Sequence, residues 1–170
     1  GIALVEEFFK FLVIKKYAYH QDEFKAPYDG ILYAVITSLG FALIENIIYV
    51  FVYNETTPLQ TAIGRMFSAI PAHALMGVFM GYYIGKAKFD KVDRQQFLLK
   101  GLFSAVALHR LYDYFLLLPM PRLDYSMYTL IIASFIAVKL IKKSRNQSII
   151  PTNSSSVTSR DNLRSDKHYR

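Results

Sequence analysis

Five ionisable residues stand inside apolar runs: Glu6, Glu7, Glu45, His73 and His109. Lipid normally excludes such groups from a helix, so each is a candidate for function. A carboxylate can take a proton from water and an imidazole can exchange one near neutral pH. Together they can also hold a divalent metal. Lys10 follows Glu6 by four residues and Asp113 follows His109 by four, so each pair shares one helical face. Lys10 could form an ion pair with Glu6, and Asp113 could orient the His109 imidazole by accepting its second N–H. Glu7 points roughly 100° away from Glu6 on a helix and has no such partner nearby in sequence. Asn46 adjoins Glu45 and could bond to it. Each pairing also has a purely structural reading as glue between helices. Arg65 reads as a side chain that snorkels outward. Arg110, with Lys10, reads as a counter-charge to the acids.

The surroundings of His73 add to this. Pro71 precedes it by two residues and should loosen the helix, freeing backbone groups that a cavity or a neighbour must satisfy. Gly77, Gly81 and Gly85 follow at a spacing of four on the same face. A stripe of small residues lets another backbone approach closely, which would press the imidazole into a tight site between helices.

The elements that must carry these residues are membrane spans. The 170 residues are 53% hydrophobic, with a mean hydropathy of +0.22. The apolar residues are gathered into blocks near the roughly 20 residues a bilayer core requires. Gly1–Ile14 reads as the end of a helix whose preceding spans are missing. Ile31–Tyr53, Leu59–Gly85 and Phe97–Leu118 read as full spans, and Tyr125–Ile141 as a shorter fourth. The fold expected is an all-α, polytopic transmembrane bundle over residues 1–145. After it, residues 146–170 are too polar to bury a core and read as a disordered basic tail.

The net charge of +7 does not point to nucleic acid, because the Lys and Arg residues flank the spans. Lys10, Lys15, Lys16 and Lys25, then Lys86, Lys88, Lys91 and Arg94, then Lys142, Lys143 and Arg145 fall at one end of an alternating bundle. That end, with the tail, is expected in the cytoplasm of a multi-pass cell-membrane protein. The loops Asn54–Pro58 and Pro119–Asp124 are expected outside. The chain has no Cys, which excludes disulfides and thiolate metal sites. Counted from the cytoplasmic ends at about 1.5 Å per residue, Glu6 and Glu7 lie roughly 12–13 Å deep, His73 and His109 about 18 Å and Glu45 about 21 Å. One shared layer predicts one cavity, expected to open to the cytoplasmic side.

In order, the motifs resemble those of the PrsW intramembrane proteases, relatives of the CAAX prenyl endopeptidases and bacterial Abi proteins. Glu6-Glu7-Phe8-Phe9-Lys10 is similar to an EExxK motif, and Phe41 to Asn46 to FxxxE followed by Asn. His73 to Gly77 is similar to HxxxG, and His109 supplies a last histidine with Asp113 one turn on. The likeness covers roughly Gly1 to Leu118. Where the CAAX enzymes usually carry a His in the second motif, this chain has Glu45. The resemblance implies an endopeptidase acting on a membrane-anchored, anti-sigma-factor-like protein, with the glutamate pair and the histidines essential. The residues leave two mechanisms open. Glu45, His73 and His109 could hold a zinc ion, or a glutamate could activate water while histidines stabilise the oxyanion. The rival class is a proton- or ion-coupled transporter, which would show paired broken helices in repeated halves. Only one span is interrupted by Pro, and no internal repeat is visible. A non-catalytic scaffold is the third reading.

Overall fold

The computed structural model describes residues 1–53, 57–118 and 125–149. Residues 54–56, in the expected loop Asn54–Pro58, together with 119–124 and all beyond 149, lie outside the described residues. Among those described, all regular structure is helical: α1 (Ile2–Val13), α2 (Pro27–Ile48), α3 (Pro58–Phe67), α4 (Ala69–Phe89), α5 (Arg94–Leu116) and α6 (Tyr125–Ile149). π-helical turns continue α1 over Ile14–Ala18 and α2 over Tyr49–Tyr53. Three helical stretches are long and apolar enough to cross a membrane: Pro27–Tyr53, Pro58–Phe89 and Tyr125–Ser148. α5 has the length, but Lys100, His109, Arg110 and Asp113 keep it below that level of apolarity. It packs within the same bundle, against α4, α6 and α1.

α4 is the central helix and packs against α2, α3, α5 and α6. Its tightest seam is with α2. A Cβ placed on Gly77 would lie 2.8 Å from the Val35 Cα, and one on Gly81 would lie 2.6 Å from the Ile31 Cα. One on Gly85 would collide with the Pro27 carbonyl. The small-residue stripe therefore does what its spacing predicts. The opposing face is also small: Gly30, Ala34, Ser38 and Ala42 recur every four residues and are all buried. Close backbone approach lets dispersion contacts act where the hydrophobic effect gives no drive between helices. Large apolar side chains such as Ile36, Leu43, Phe51, Phe103 and Phe135 point outward, as a lipid-facing surface requires.

The second span is two helices rather than one. Ser68 departs from helical geometry, with φ −120° and ψ −68°. Pro71 is the third residue of α4, where its missing N–H costs little, and its ring would clash with the Phe67 carbonyl if the helix ran on. The Ser68 hydroxyl donates to the Gly64 carbonyl at 2.8 Å and closes the end of α3.

At the basic end the helices outlast their apolar runs. α4 continues through Lys86 and Lys88 to Phe89, leaving only a short turn in which Asp90 accepts the N–H groups of Val92 and Asp93. Lys88 donates to the carbonyls of Tyr19 and Gln21, and the Tyr19 hydroxyl donates to the Ala87 carbonyl. These bonds tie the α1–α2 connection to the end of α4. α6 likewise continues past Lys142 to Ile149, four residues into the stretch 146–170 that reads from sequence as tail. Ser144 is buried, and the Ser148 hydroxyl accepts the Tyr28 N–H at 3.3 Å, so packing against α2 holds this polar extension in place.

Candidate active site

α1, α2, α4 and α5 bring all five expected residues together, and α3 adds a sixth. Lys10 is the hub. Fully buried, it donates to Glu7 Oε1 at 2.6 Å and to His73 Nδ1 at 2.8 Å, with the Phe41 ring 5.7 Å away on a further side. The second motif thus supplies an aromatic face to the ammonium as well as a carboxylate. His73 Nε2 meets Glu45 Oε2 at 2.9 Å. An ammonium has only donors, so Nδ1 accepts and the His73 proton resides on Nε2, donated to Glu45. His109 Nδ1 meets Glu7 Oε1 at 2.9 Å. The two imidazole rings lie edge to face, 5.7 Å between centroids.

The expected pairings change in three places. Lys10 pairs with Glu7, three residues back, and not with Glu6. Turned inward with Lys10, Glu7 has no solvent to reward it, so the buried cation claims it. Asp113 does not orient His109: its oxygen is 3.6 Å from Nε2, beyond a hydrogen bond, while the buried Glu7 holds Nδ1. Glu45 and Asn46 do not bond each other but share Arg65, whose Nη2 donates to Glu45 Oε2 at 2.7 Å and whose Nε donates to Asn46 Oδ1 at 2.6 Å. Arg65 rather than Arg110 is therefore the second counter-charge, while exposed Arg110 lies beside Gly1. No helical spacing links residue 65 to 45. Only the break at Ser68, which folds α3 back toward the end of α2, makes that contact.

Of the three glutamates, Glu6 alone makes no hydrogen bond among the described residues, and its side chain is 24% exposed. Its Oε2 is 3.9 Å from His109 Nε2. Glu6, Glu45 and His73 each place a donor atom within 4.8 Å of the others. Two carboxylates and an imidazole suit a divalent ion on chemical grounds. This set has Glu6 where His109 was expected beside His73 and Glu45, and His109 Nε2 lies 3.9 Å from Glu6 Oε2.

Two cavities meet at the site and share Glu45 and His73. The larger, about 530 Å³, reaches past Arg65, His109, Tyr112 and Asp113. The smaller, about 180 Å³, lies between α1 and α2 beside Glu6, Phe41 and Ile44. The larger one runs toward Tyr49, Thr61, Leu116 and Met127, residues at the end remote from the basic loops. This corrects the expected opening. By helical rise Glu45 is about 27 Å from Pro27 but about 12 Å from Tyr53, because α2 begins below the apolar run that sequence counting starts from.

The family whose sequence model matches the chain is described as PrsW family intramembrane metalloprotease, and the match covers residues 1–139. The Protease PrsW of Halalkalibacterium halodurans is 44% identical over 113 residues, 66% of this chain and 51% of that protein. The Protease PrsW of Oceanobacillus iheyensis is 37% identical over 155 residues, 88% of this chain and 67% of that protein. The Bacillus subtilis Protease PrsW is 38% identical over 114 residues, 66% of this chain and 50% of that protein. The chain thus spans about half the length of most curated relatives it matches. No solved structure gives a significant match.

Proposed function

We propose that this chain, which belongs to the PrsW family of intramembrane metalloproteases, is the membrane-embedded catalytic part of an endopeptidase. One observation carries the reading: three carboxylates, two imidazoles and two cations from five helices meet where two cavities adjoin inside an otherwise apolar bundle. A scaffold could be held together by fewer groups, and a buried charge left unpaired is costly. The family match does not favour the transporter alternative.

In the proposed reaction Glu6, the carboxylate beside the smaller cavity, takes a proton from water. The water oxygen bonds to the carbonyl carbon of the scissile peptide. As the C–N bond breaks, the leaving nitrogen receives a proton by way of His109 Nε2, which faces the cavity. The products are a carboxylic acid and an amine, which exchange a proton to become carboxylate and ammonium. Glu7 holds His109 and Lys10 in register, and Lys10 in turn fixes the His73 tautomer. Alternatively, Glu6, Glu45 and His73 would together hold a metal ion, which we take to be zinc and which would supply Lewis-acid polarisation, with Glu6 then a ligand rather than the base.

The substrate class we propose is a membrane-anchored, anti-sigma-factor-like protein, cut near the end of the bundle remote from the basic loops. With those loops and the tail in the cytoplasm, that end is extracytoplasmic. Purified protein in nanodiscs, offered a panel of single-pass substrates, tests the reading. Cleavage that disappears in Glu6→Gln supports it, and a folded wild-type protein that cuts none of the panel counts against it.

A further inference from the structure

Arg65 is the one charged residue of the site that no family motif accounts for. Its side chain is only 17% exposed and makes two short hydrogen bonds, at 2.6 and 2.7 Å, to adjacent residues of α2. The guanidinium carbon lies 4.0 Å from the centroid of the Tyr49 ring. A snorkelling side chain would leave its head group in the polar layer. This one is fixed on three sides. Its planar fork reaches Glu45 and Asn46 together, a geometry that the point charge of Lys cannot reproduce.

The element carrying Arg65 is weakly anchored. No residue of α3 is buried, and the helix is set off from α4 by the break at Ser68. Among the described residues, Arg65 makes every side-chain hydrogen bond between α3 and α2. Glu45 uses a single oxygen, Oε2, for both Arg65 and His73. The guanidinium therefore sets the angle at which that oxygen meets the imidazole. It also balances a site that otherwise sets three carboxylates against Lys10 alone.

We propose that Arg65 is a positioning residue of the site: from the hinged helix α3 it aligns Glu45 on His73, so that the arrangement is complete only when α3 lies over the larger cavity. Its catalytic consequence rests on the protease reading above, and its structural consequence does not.

The experiment has two arms, both on the whole purified protein. The first uses the natural absence of Cys. Ala72 is buried and lines the larger cavity together with Thr61, Gly64 and Arg65 of α3. In an Ala72→Cys background a soluble thiol reagent should react slowly. Adding Arg65→Gln should raise that rate by about tenfold or more, the loss expected for a charge-assisted bond. Arg65→Lys should fall between, and a cysteine at Asp90, remote from α3, should be unaffected. An unchanged rate at position 72, or an equal rise at both positions, overturns the proposal. The second arm is cleavage. Arg65→Gln should lower kcat about 10–100-fold, the range seen when an orienting partner is lost, with KM nearly unchanged. Millimolar ethylguanidinium should restore part of the rate. An unchanged kcat, a change in KM alone, or a loss that ethylguanidinium does not touch counts against Arg65. If wild-type protein cleaves nothing, the protease reading fails, while the labelling arm still decides the role of Arg65.

Discussion

Glu7 and Glu6 are adjacent and of one type, yet their surroundings assign them different work. Glu7 is fully buried and shares one oxygen between Lys10 and His109, whereas Glu6 makes no hydrogen bond among the described residues and stays partly exposed. Glu7→Gln should abolish cleavage and also destabilise the fold by about 3 kcal/mol, because Lys10 is left buried without its partner. Differential scanning calorimetry in detergent and substrate turnover measure the two losses separately. Adding Lys10→Met to Glu7→Gln removes the orphaned charge, so melting should recover while cleavage should not. Glu6→Gln should leave the melting temperature close to wild type and remove turnover, since Gln cannot accept the proton. If Glu6→Gln cuts normally, Glu6 is not the base. The sequence made the candidates visible because charge in an apolar run is rare. Their division of labour was not visible, since burial depends on which way α1 faces its neighbours.

At the scale of the element, the α2–α4 seam decides whether the site assembles at all. It sets Glu45 and His73 at 2.9 Å from two helices. Gly81→Ala should already be harmful, because the new Cβ would lie 2.6 Å from the Ile31 Cα and 2.8 Å from the Ala34 Cβ. Overpacking of this kind costs about 1–3 kcal/mol, and a lowered melting temperature with weaker cleavage would report it. Gly64→Ala meets nothing within 4 Å and lies within α3, so helix propensity should make it neutral or stabilising by up to about 1 kcal/mol. A seam that tolerated Gly81→Ala as well as Gly64→Ala would show that close approach is not what holds these helices. The stripe on α4 was legible from its spacing, and the break near its start was foreshadowed by Pro71. The matching stripe on α2 was present in the sequence at the same period. It is not distinctive there, because Ala and Ser at spacing four are common in any apolar helix.

For the whole molecule, the proposed topology places the basic loops inside and the cavity mouth outside. Single cysteines at Thr57 and Asp90 test it in intact cells with a membrane-impermeant thiol reagent. Labelling is expected at position 57 and not at position 90, and the reverse pattern would invert the protein. Removal of residues 150–170 should leave both melting and cleavage unchanged, because their composition cannot build a core. The cut belongs after Ile149 rather than after Arg145, since Ser148 still bonds to the start of α2. Sequence alone pointed to a helical membrane bundle, the one-sided charge and five candidate site residues, which follow from composition and period, local properties of a chain, while its motifs carried the family likeness. Tertiary structure alone decided that Lys10 serves Glu7 and His73, that Glu7 rather than Asp113 holds His109, and that Arg65 belongs to the site. It also decided that the larger cavity opens away from the basic loops. Those facts depend on how far each helix runs and how its faces turn against others. A bond between residues 20 to 102 positions apart leaves no periodic trace in the sequence that makes it.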